Sequence, residues 1–390
     1  MMRESDYVPG LENVIASETS ISYLDVENEQ IIIRGYDLME LARQAGYLEV
    51  AGLLLDGSLP GVDEKEALEE RLKAEYGMND AIYRLLALLP KDANMMDVLR
   101  TGISSLSSYD PELDDRSREA NRRKAVRLLA KVPQLCANGY RIVTGHEPLA
   151  PRADLPYSAG FLYLLTGREP SELEARLFDQ SLIAYSEHEM PNSTFAARVI
   201  ASTHSDVYGA LSGGVASLKG TLHGGANEAV MDMLLEAETE AGMETLVRSK
   251  LAAKERIMGF GHRVYMKKPD PRALLMKEAL AELSAERGDD RLLRMCVVGE
   301  TIVASEKKLF PNLDYYAAPV YHLLGIPTPL FTPVFFAART AGLCAHVMEQ
   351  HENNRLFRPR VRYTGPRGLR VGRGAEREAD PNGGNEQENG

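Results

Sequence analysis

Thr332-Pro333-Val334-Phe335-Phe336-Ala337-Ala338-Arg339-Thr340-Ala341-Gly342-Leu343-Cys344-Ala345-His346-Val347-Met348 reads as a helix that is apolar on nearly every side. Such a helix must be buried, because one that touched water would show a polar stripe. Thr332 is expected to cap its start, with Pro333 at the first helical position. Arg339 sits in the middle, and no carboxylate lies one helical turn away on either side. A buried guanidinium must be paired, so an anionic ligand is an expected partner. The wider apolar stretch, 317–345, is broken by Pro319, His322, Pro327, Pro329, Pro333 and Arg339. A membrane span of about 20 apolar residues would not carry that punctuation. The expectation is a core helix and no membrane partner.

Outward from this helix the period stays helical. Residues 37–55 and 67–89 carry apolar side chains at three- and four-residue steps, 114–132 is a charged helix with one apolar stripe, and 172–185 is another. Residues 20–36 form the exception, two β-rich runs around a polar turn that read as a hairpin. Strand signals are nearly absent elsewhere, so the fold class is all-α, mainly helical with a short N-terminal β-hairpin. Residues 209–217, Gly-Ala-Leu-Ser-Gly-Gly-Val-Ala-Ser, let helices approach closely, either within the chain or between two copies. From about residue 367 to 390 the composition turns to Gly, Arg, Glu and Asn and cannot bury a core, so a disordered tail is expected.

A length of 390 residues allows about two domains. The net charge of −12 argues against a general nucleic-acid partner, since phosphate affinity needs a basic face. Cys136, Cys296 and Cys344 are odd in number and far apart, which leaves no readable disulfide framework or metal motif. That suits a reducing cytoplasm, and the start, Met1-Met2-Arg3-Glu4-Ser5-Asp6, lacks the apolar run of a signal peptide.

Three short segments hold residues that suit proton abstraction beside a carbonyl: 222–228 with His223, 259–265 with His262, and 311–316 with Asp314. Such chemistry needs one carboxylate as base and imidazoles as donors to developing oxyanions. His223 lies in a Gly-rich turn before a helix start near Ala226, where an imidazole tends to stay neutral and donate. Asp314 follows Pro311-Asn312, which by itself marks a turn. His188, between Glu187 and Glu189, reads locally as a surface residue. Residues 248–272 bring together eight basic side chains, Lys254, Arg256, Lys267 and Arg272 among them, against only Glu255 and Asp270. With Gly259 and Gly261 allowing close backbone approach, that run suggests a polyanion site.

The runs 185–195 (Tyr-Ser-Glu-His-Glu-Met-Pro-Asn-Ser-Thr-Phe), 219–227 (Lys-Gly-Thr-Leu-His-Gly-Gly-Ala-Asn) and 259–265 (Gly-Phe-Gly-His-Arg-Val-Tyr) resemble motifs of the citrate synthase family. So do Asp270-Pro271-Arg272, Asn312-Leu313-Asp314-Tyr315-Tyr316, Arg34-Gly35-Tyr36 and Arg358-Pro359 with Tyr363-Thr364-Gly365-Pro366. The resemblance covers roughly residues 8–366 and takes the form of the 2-methylcitrate synthase branch found in bacilli. It implies condensation of acetyl-CoA or propionyl-CoA with oxaloacetate. Asp314 would be the base, His223 the donor to the thioester oxygen and His262 the group that polarises the oxaloacetate ketone. His188, Arg272 and Arg339 would grip the oxaloacetate carboxylates, with Arg358 donated across a homodimer interface. Arg256, Ile257, Met258, Gly259, Phe260 and Lys267 would hold CoA. No cofactor or metal is implied, since the CoA thioester is a substrate. The resemblance also implies a large domain from 1–222 and 324–366 with a small domain, 223–323, inserted in it, and an active site in the cleft.

Two departures stand out. Met266-Lys267-Lys268-Pro269 adds one residue between His262 and Arg272, and Ala317-Ala318 replaces the usual small polar pair, a more apolar wall that suits a propionyl methyl group. A hydrolase using His223-Gly224-Gly225 as an oxyanion loop is excluded, because the chain has no Gly-x-Ser-x-Gly elbow. The alternative left open is an inactive helical scaffold of the same fold.

Overall fold

A computed structural model describes residues 7–12, 14–25, 27–28, 30–261 and 269–369. The chain forms two units, residues 1–18 with 358–390 and residues 19–357. The first holds a 3₁₀ turn at Pro9–Leu11 and an Arg362 guanidinium 4.9 Å from the centre of the Tyr7 ring. The tail from residue 370 lies outside the described residues, as do His262 and Lys267.

The second unit opens with the expected hairpin, β1 (Ser22–Asp25) and β2 (Gln30–Ile33), extended by a two-residue β3 (Tyr36–Asp37). The sheet is antiparallel in the order β1-β2-β3, with Tyr23 opposite Ile32 and Ile32 opposite Asp37. Asp37 ends β3 and caps α1 (Leu38–Gln44), accepting the N–H groups of Met39 and Glu40. The 37–55 pattern is two helices rather than one, because Gly46 starts α2 (Tyr47–Asp56) afresh. The Asp179 carboxylate fixes that start by accepting the Tyr47 N–H at 3.0 Å. The 67–89 pattern likewise divides into α3 (Val62–Ala74) and α4 (Asp80–Leu86), the second capped by Asn79.

Next come α5 (Met95–Leu106), α6 (Arg118–Val143), α7 (Tyr157–Thr166), α8 (Glu172–Ser186), α9 (Asn192–Ala201) and α10 (Val207–Leu218). Then follow α11 (Ala226–Ala237), α12 (Glu240–Ala252), α13 (Pro271–Arg287), α14 (Arg291–Lys307), α15 (Leu313–Leu323) and α16 (Phe331–Glu352). α6 starts later than its sequence pattern, at a Ser117 cap, and runs through Pro133. Burial of apolar residues on both sides of that proline offsets its one missing backbone bond.

α16 is the predicted core helix. It is long and apolar enough to cross a membrane, yet it lies buried among α2, α6, α8, α9 and α10. Its start differs from expectation: a 3₁₀ turn at Thr328–Leu330 leads into the helix at Phe331, so Thr332 lies inside. The Thr332 hydroxyl donates to Glu228 instead of capping. Pro333 is tolerated because the first four helical N–H groups lack intrahelical acceptors anyway. The small residues of α10 serve packing within the chain: a Cβ on Gly213 would meet Ile200 of α9 at 2.1 Å, and one on Gly214 would touch Phe336 of α16. Helices α11 to α15 pack on one another, α13 on α15 and α12 on α14.

Candidate active site

α8 ends at Ser186, and the last residues of that helix organise the site. The Tyr185 hydroxyl donates to Asp314 Oδ1 at 2.7 Å, while its backbone carbonyl accepts Arg339 Nε at 2.6 Å. One residue therefore joins the expected base to the expected anion grip. The Phe335 ring packs on both Tyr185 and Arg339, 4.6 Å from the Tyr185 ring centre and 4.9 Å from Arg339 Cζ. Arg339 is buried, 3% exposed, and no carboxylate pairs with it among the described residues. Burial depresses its pKa to about 10, with the Glu187 charge opposing. Arg339 is thus the buried cation without a neighbouring carboxylate on its own helix that the sequence indicates, and the Tyr185 carbonyl accepts its Nε.

Asp314 is half-buried in the first turn of α15, after an Asn312 cap whose side chain accepts the Asp314 N–H at 3.1 Å. Removal from water pushes its carboxyl up, while the Tyr185 hydroxyl and the charges of Arg272 and Arg339 pull it down; upward wins. A base needs this tuning to hold a proton long enough to pass it on. Its position is set by main-chain pairing. Gly261 N–H donates to Phe310 O and Asn312 N–H to Gly259 O, each at 2.9 Å, and Phe260 bridges Pro311 in antiparallel fashion. The segment that leads into His262 is thus held in register with the segment that carries Asp314.

Gly259 has φ +83°, and a Cβ there would meet Val230 at 2.7 Å and Tyr315 at 2.9 Å. Its glycine is demanded by packing against the protein itself. At Gly261, φ +78°, a Cβ would make only an ordinary contact with Leu309 at 3.8 Å. Ile257 and Phe260 are buried, Met258 is half-buried and Arg256 is exposed. Part of the basic run is balanced locally: Arg248 pairs with Glu244 and Glu306, and Lys250 with Glu255.

His223 lies just before the Gly225 cap of α11, as expected. Its Nε2 accepts the backbone N–H of Ser193 at 3.1 Å, with the Ser193 hydroxyl at 2.9 Å. Ser193 stands in the first turn of α9, where N–H groups have no helical acceptor. A backbone donor at Nε2 leaves the ring proton on Nδ1, so Nδ1 is the nitrogen able to donate. Gly224 is needed for this turn, since a Cβ would strike the Leu218 carbonyl at 2.0 Å.

Arg272 and Asp270 are both buried at the start of α13. The Asp270 carboxylate takes Arg272 Nε at 3.0 Å and Nη2 at 2.7 Å as a two-pronged pair while capping the helix. His188 is 8% exposed, which corrects its local reading as a surface residue. Arg358 is exposed and belongs to the first unit. Sequence reasoning assigned no role to Tyr185 or Ser193. Tyr185 stands in a quoted motif, but nothing local signals its bond to a residue 129 positions away.

Comparison with known proteins agrees with this chemistry. The family model described as citrate synthase, C-terminal domain, matches residues 10–360. The chain belongs to the citrate synthase family, and it is an enzyme of the family's condensing kind. It is 62% identical to the citrate synthase of Heyndrickxia coagulans over 371 residues, 95% of this chain and 100% of that one. It is 61% identical to the citrate/2-methylcitrate synthase of Bacillus subtilis, over 94% of this chain and 99% of that one. The fold superposes with TM-score 0.88 on the citrate synthase of Thermoplasma acidophilum solved as a ternary complex with carboxymethyl coenzyme A and oxaloacetate. There the identity is 28%, covering 93% of this chain and 97% of that one.

Proposed function

We propose that the chain joins the acyl group of acetyl-CoA or propionyl-CoA to oxaloacetate, with Asp314 as base and His223 and His262 as donors. The α-proton passes to Asp314 and the thioester becomes an enolate whose oxygen accepts a hydrogen bond from His223 Nδ1. The enolate carbon attacks the oxaloacetate ketone, which His262 polarises, and the new carbon–carbon bond leaves an alkoxide that takes up one proton, the balance being restored when Asp314 gives up the one it removed. Water then cleaves the thioester, releasing CoA with citrate or 2-methylcitrate. The observation that carries this reading is the double engagement of Tyr185, hydroxyl to Asp314 and carbonyl to Arg339. It supports the reading by linking a carboxyl whose proton affinity burial raises to a buried cation suited to a carboxylate.

His188, Arg272 and Arg339 grip the oxaloacetate carboxylates, and the backbone of 256–260 with Lys267 receives CoA. A small domain, 223–323, closes on a large one, 1–222 with 324–366, to keep water from the enol. The working unit is a cytoplasmic homodimer in which Arg358 reaches the partner's oxaloacetate. One methylene of difference between acetyl and propionyl in an apolar pocket is worth about 1–3 kcal/mol, so both thioesters are expected to react.

Release of free thiol from acetyl-CoA and propionyl-CoA in the presence of oxaloacetate tests the reaction. Asp314→Asn should lower turnover by about 100- to 10,000-fold and leave oxaloacetate affinity unchanged. Retention of more than about a tenth of turnover would remove Asp314 from the role of base. Co-refolding Arg358→Ala with Asp314→Asn chains should restore part of the activity, because a mixed dimer keeps one intact site. No recovery in proven mixed dimers would place Arg358 outside the partner's site.

A further inference from the structure

Beyond Tyr185 the chain enters a buried polar network that the reaction above leaves without a task. Glu187 Oε1 accepts the Ser22 hydroxyl at 2.9 Å and lies 3.1 Å from His346 Nε2. On the far side of the ring, His346 Nδ1 lies 2.8 Å from Arg198 Nη1. A guanidinium can only donate, so Nδ1 accepts and the ring proton sits on Nε2, aimed at Glu187. Arg198 is itself anchored by Glu349 Oε2 at 2.8 Å and Gln350 Oε1 at 3.1 Å. Ser22, having given its proton to Glu187, accepts the backbone N–H of Glu189 at 3.0 Å.

The residues on both sides of His188 are therefore tied to one serine on β1. Glu189 needs such a tie, because its φ of +59° lies in the left-handed region that is costly for a side chain with a Cβ. α16 presses on the same segment with residues spaced three and four apart. Arg339 bonds the Tyr185 carbonyl, Gly342 lies where a Cβ would meet the Ser186 carbonyl at 2.5 Å and Glu187 Oε2 at 2.3 Å, and His346 meets Glu187. Three successive contacts on one helix face thus read three successive residues at the end of α8.

We infer that Ser22, Glu187 and His346 are positioning residues for oxaloacetate: they clamp the backbone of 187–189 so that His188 is held ready beside Arg339. The inference rests on the reading of His188 and Arg339 as carboxylate grips. A grip fixed in advance spares the ligand the entropy of ordering it, so the clamp acts on oxaloacetate affinity and leaves the acyl-CoA side untouched.

Steady-state kinetics on Ser22 and His346 variants, with thermal unfolding alongside, test the clamp. Ser22→Ala should raise the oxaloacetate KM about tenfold, the size of one lost buried hydrogen bond, while kcat and the acetyl-CoA KM stay within about twofold. Ser22→Thr keeps the hydroxyl and should restore oxaloacetate affinity. His346→Gln, which retains one donor and one acceptor, should be milder than His346→Leu. Should His346→Leu fail to fold, the Ser22 pair alone decides. A control, His188→Asn, separates the two layers of argument. If it raises the oxaloacetate KM while Ser22→Ala lowers only the melting temperature, the network is structural and the inference falls. If His188→Asn leaves the oxaloacetate KM unchanged, the reading of His188 falls and takes the clamp with it.

Discussion

Between α8 and α16 the polar groups answer one another largely through side chains in a dry core, from Ser22 and Glu187 to His346, Arg198 and Glu349. Around His223 and Asp314 main chain takes a larger share: the Ser193 N–H, beside its hydroxyl, meets the imidazole, and paired carbonyls and N–H groups of 259–261 and 310–312 hold the segment that carries Asp314, whose carboxylate takes the Tyr185 hydroxyl. The difference follows from what each side must hold. A permanent buried cation such as Arg198 needs fixed partners in low dielectric, because a mobile one would be costly to desolvate afresh. His223 and Asp314 need exact placement, and a backbone bond at Nε2 of the ring and an N-cap beneath the carboxylate provide that. The first arm is rigid through packing, the second through hydrogen-bond register.

The largest effect is expected where the main-chain arm is broken. His223→Gln misplaces the donor, and loss of one oxyanion donor typically costs about 100- to 1000-fold in turnover. Single-turnover thiol release should show that loss with oxaloacetate affinity preserved. A parallel loss of oxaloacetate binding would mean the two arms are not separate.

The packed arm is broken most directly at Gly342. Gly342→Ala would push a methyl group into Glu187 Oε2 and the Ser186 carbonyl. Overpacking of this kind costs about 1–3 kcal/mol. Unfolding should occur several degrees earlier, and the oxaloacetate KM should rise. An unchanged melting temperature would show that α16 can shift away from α8, so that this arm is less rigid than its packing implies.

Tyr185→Phe sharpens the comparison at the residue the arms share. The Tyr185 hydroxyl helps hold the Asp314 proton off, against the burial that raises the carboxyl. With Asp314 as the proposed base, turnover requires the carboxylate, so activity is expected to fall as pH drops through the Asp314 pKa. Without the hydroxyl that pKa rises further, and the acid limb of the pH–kcat profile should move to higher pH. A limb that stays in place, or moves down, would exclude the hydroxyl as the tuning group.

Local pattern carried much of this protein. The helical period over 172–185 matches α8 at Glu172–Ser186 closely, and the all-round apolar run at 332–348 foretold both the burial of α16 and the isolation of Arg339. Helix breaks were less legible: the start of α2 after Gly46 is held by Asp179, far away in sequence, whereas the Ser117 cap of α6 is a local bond to the Ala120 N–H that the apolar period does not mark. The start of α16 was misread because Thr332 had a better partner in Glu228 than in its own helix.

By itself, then, the sequence determined the helical class, the family and the positions of His223 and Asp314, since these rest on periodicity and on short motifs in which neighbours along the chain are neighbours in space. Only the tertiary structure decided that the Ser193 N–H occupies Nε2 of His223, that Tyr185 joins Asp314 to Arg339, and that Ser22 reaches Glu187 across 165 residues. Hydrogen bonds depend on distance and direction to within a few tenths of an ångström. A pattern of residue types along a chain contains neither until the helices have packed.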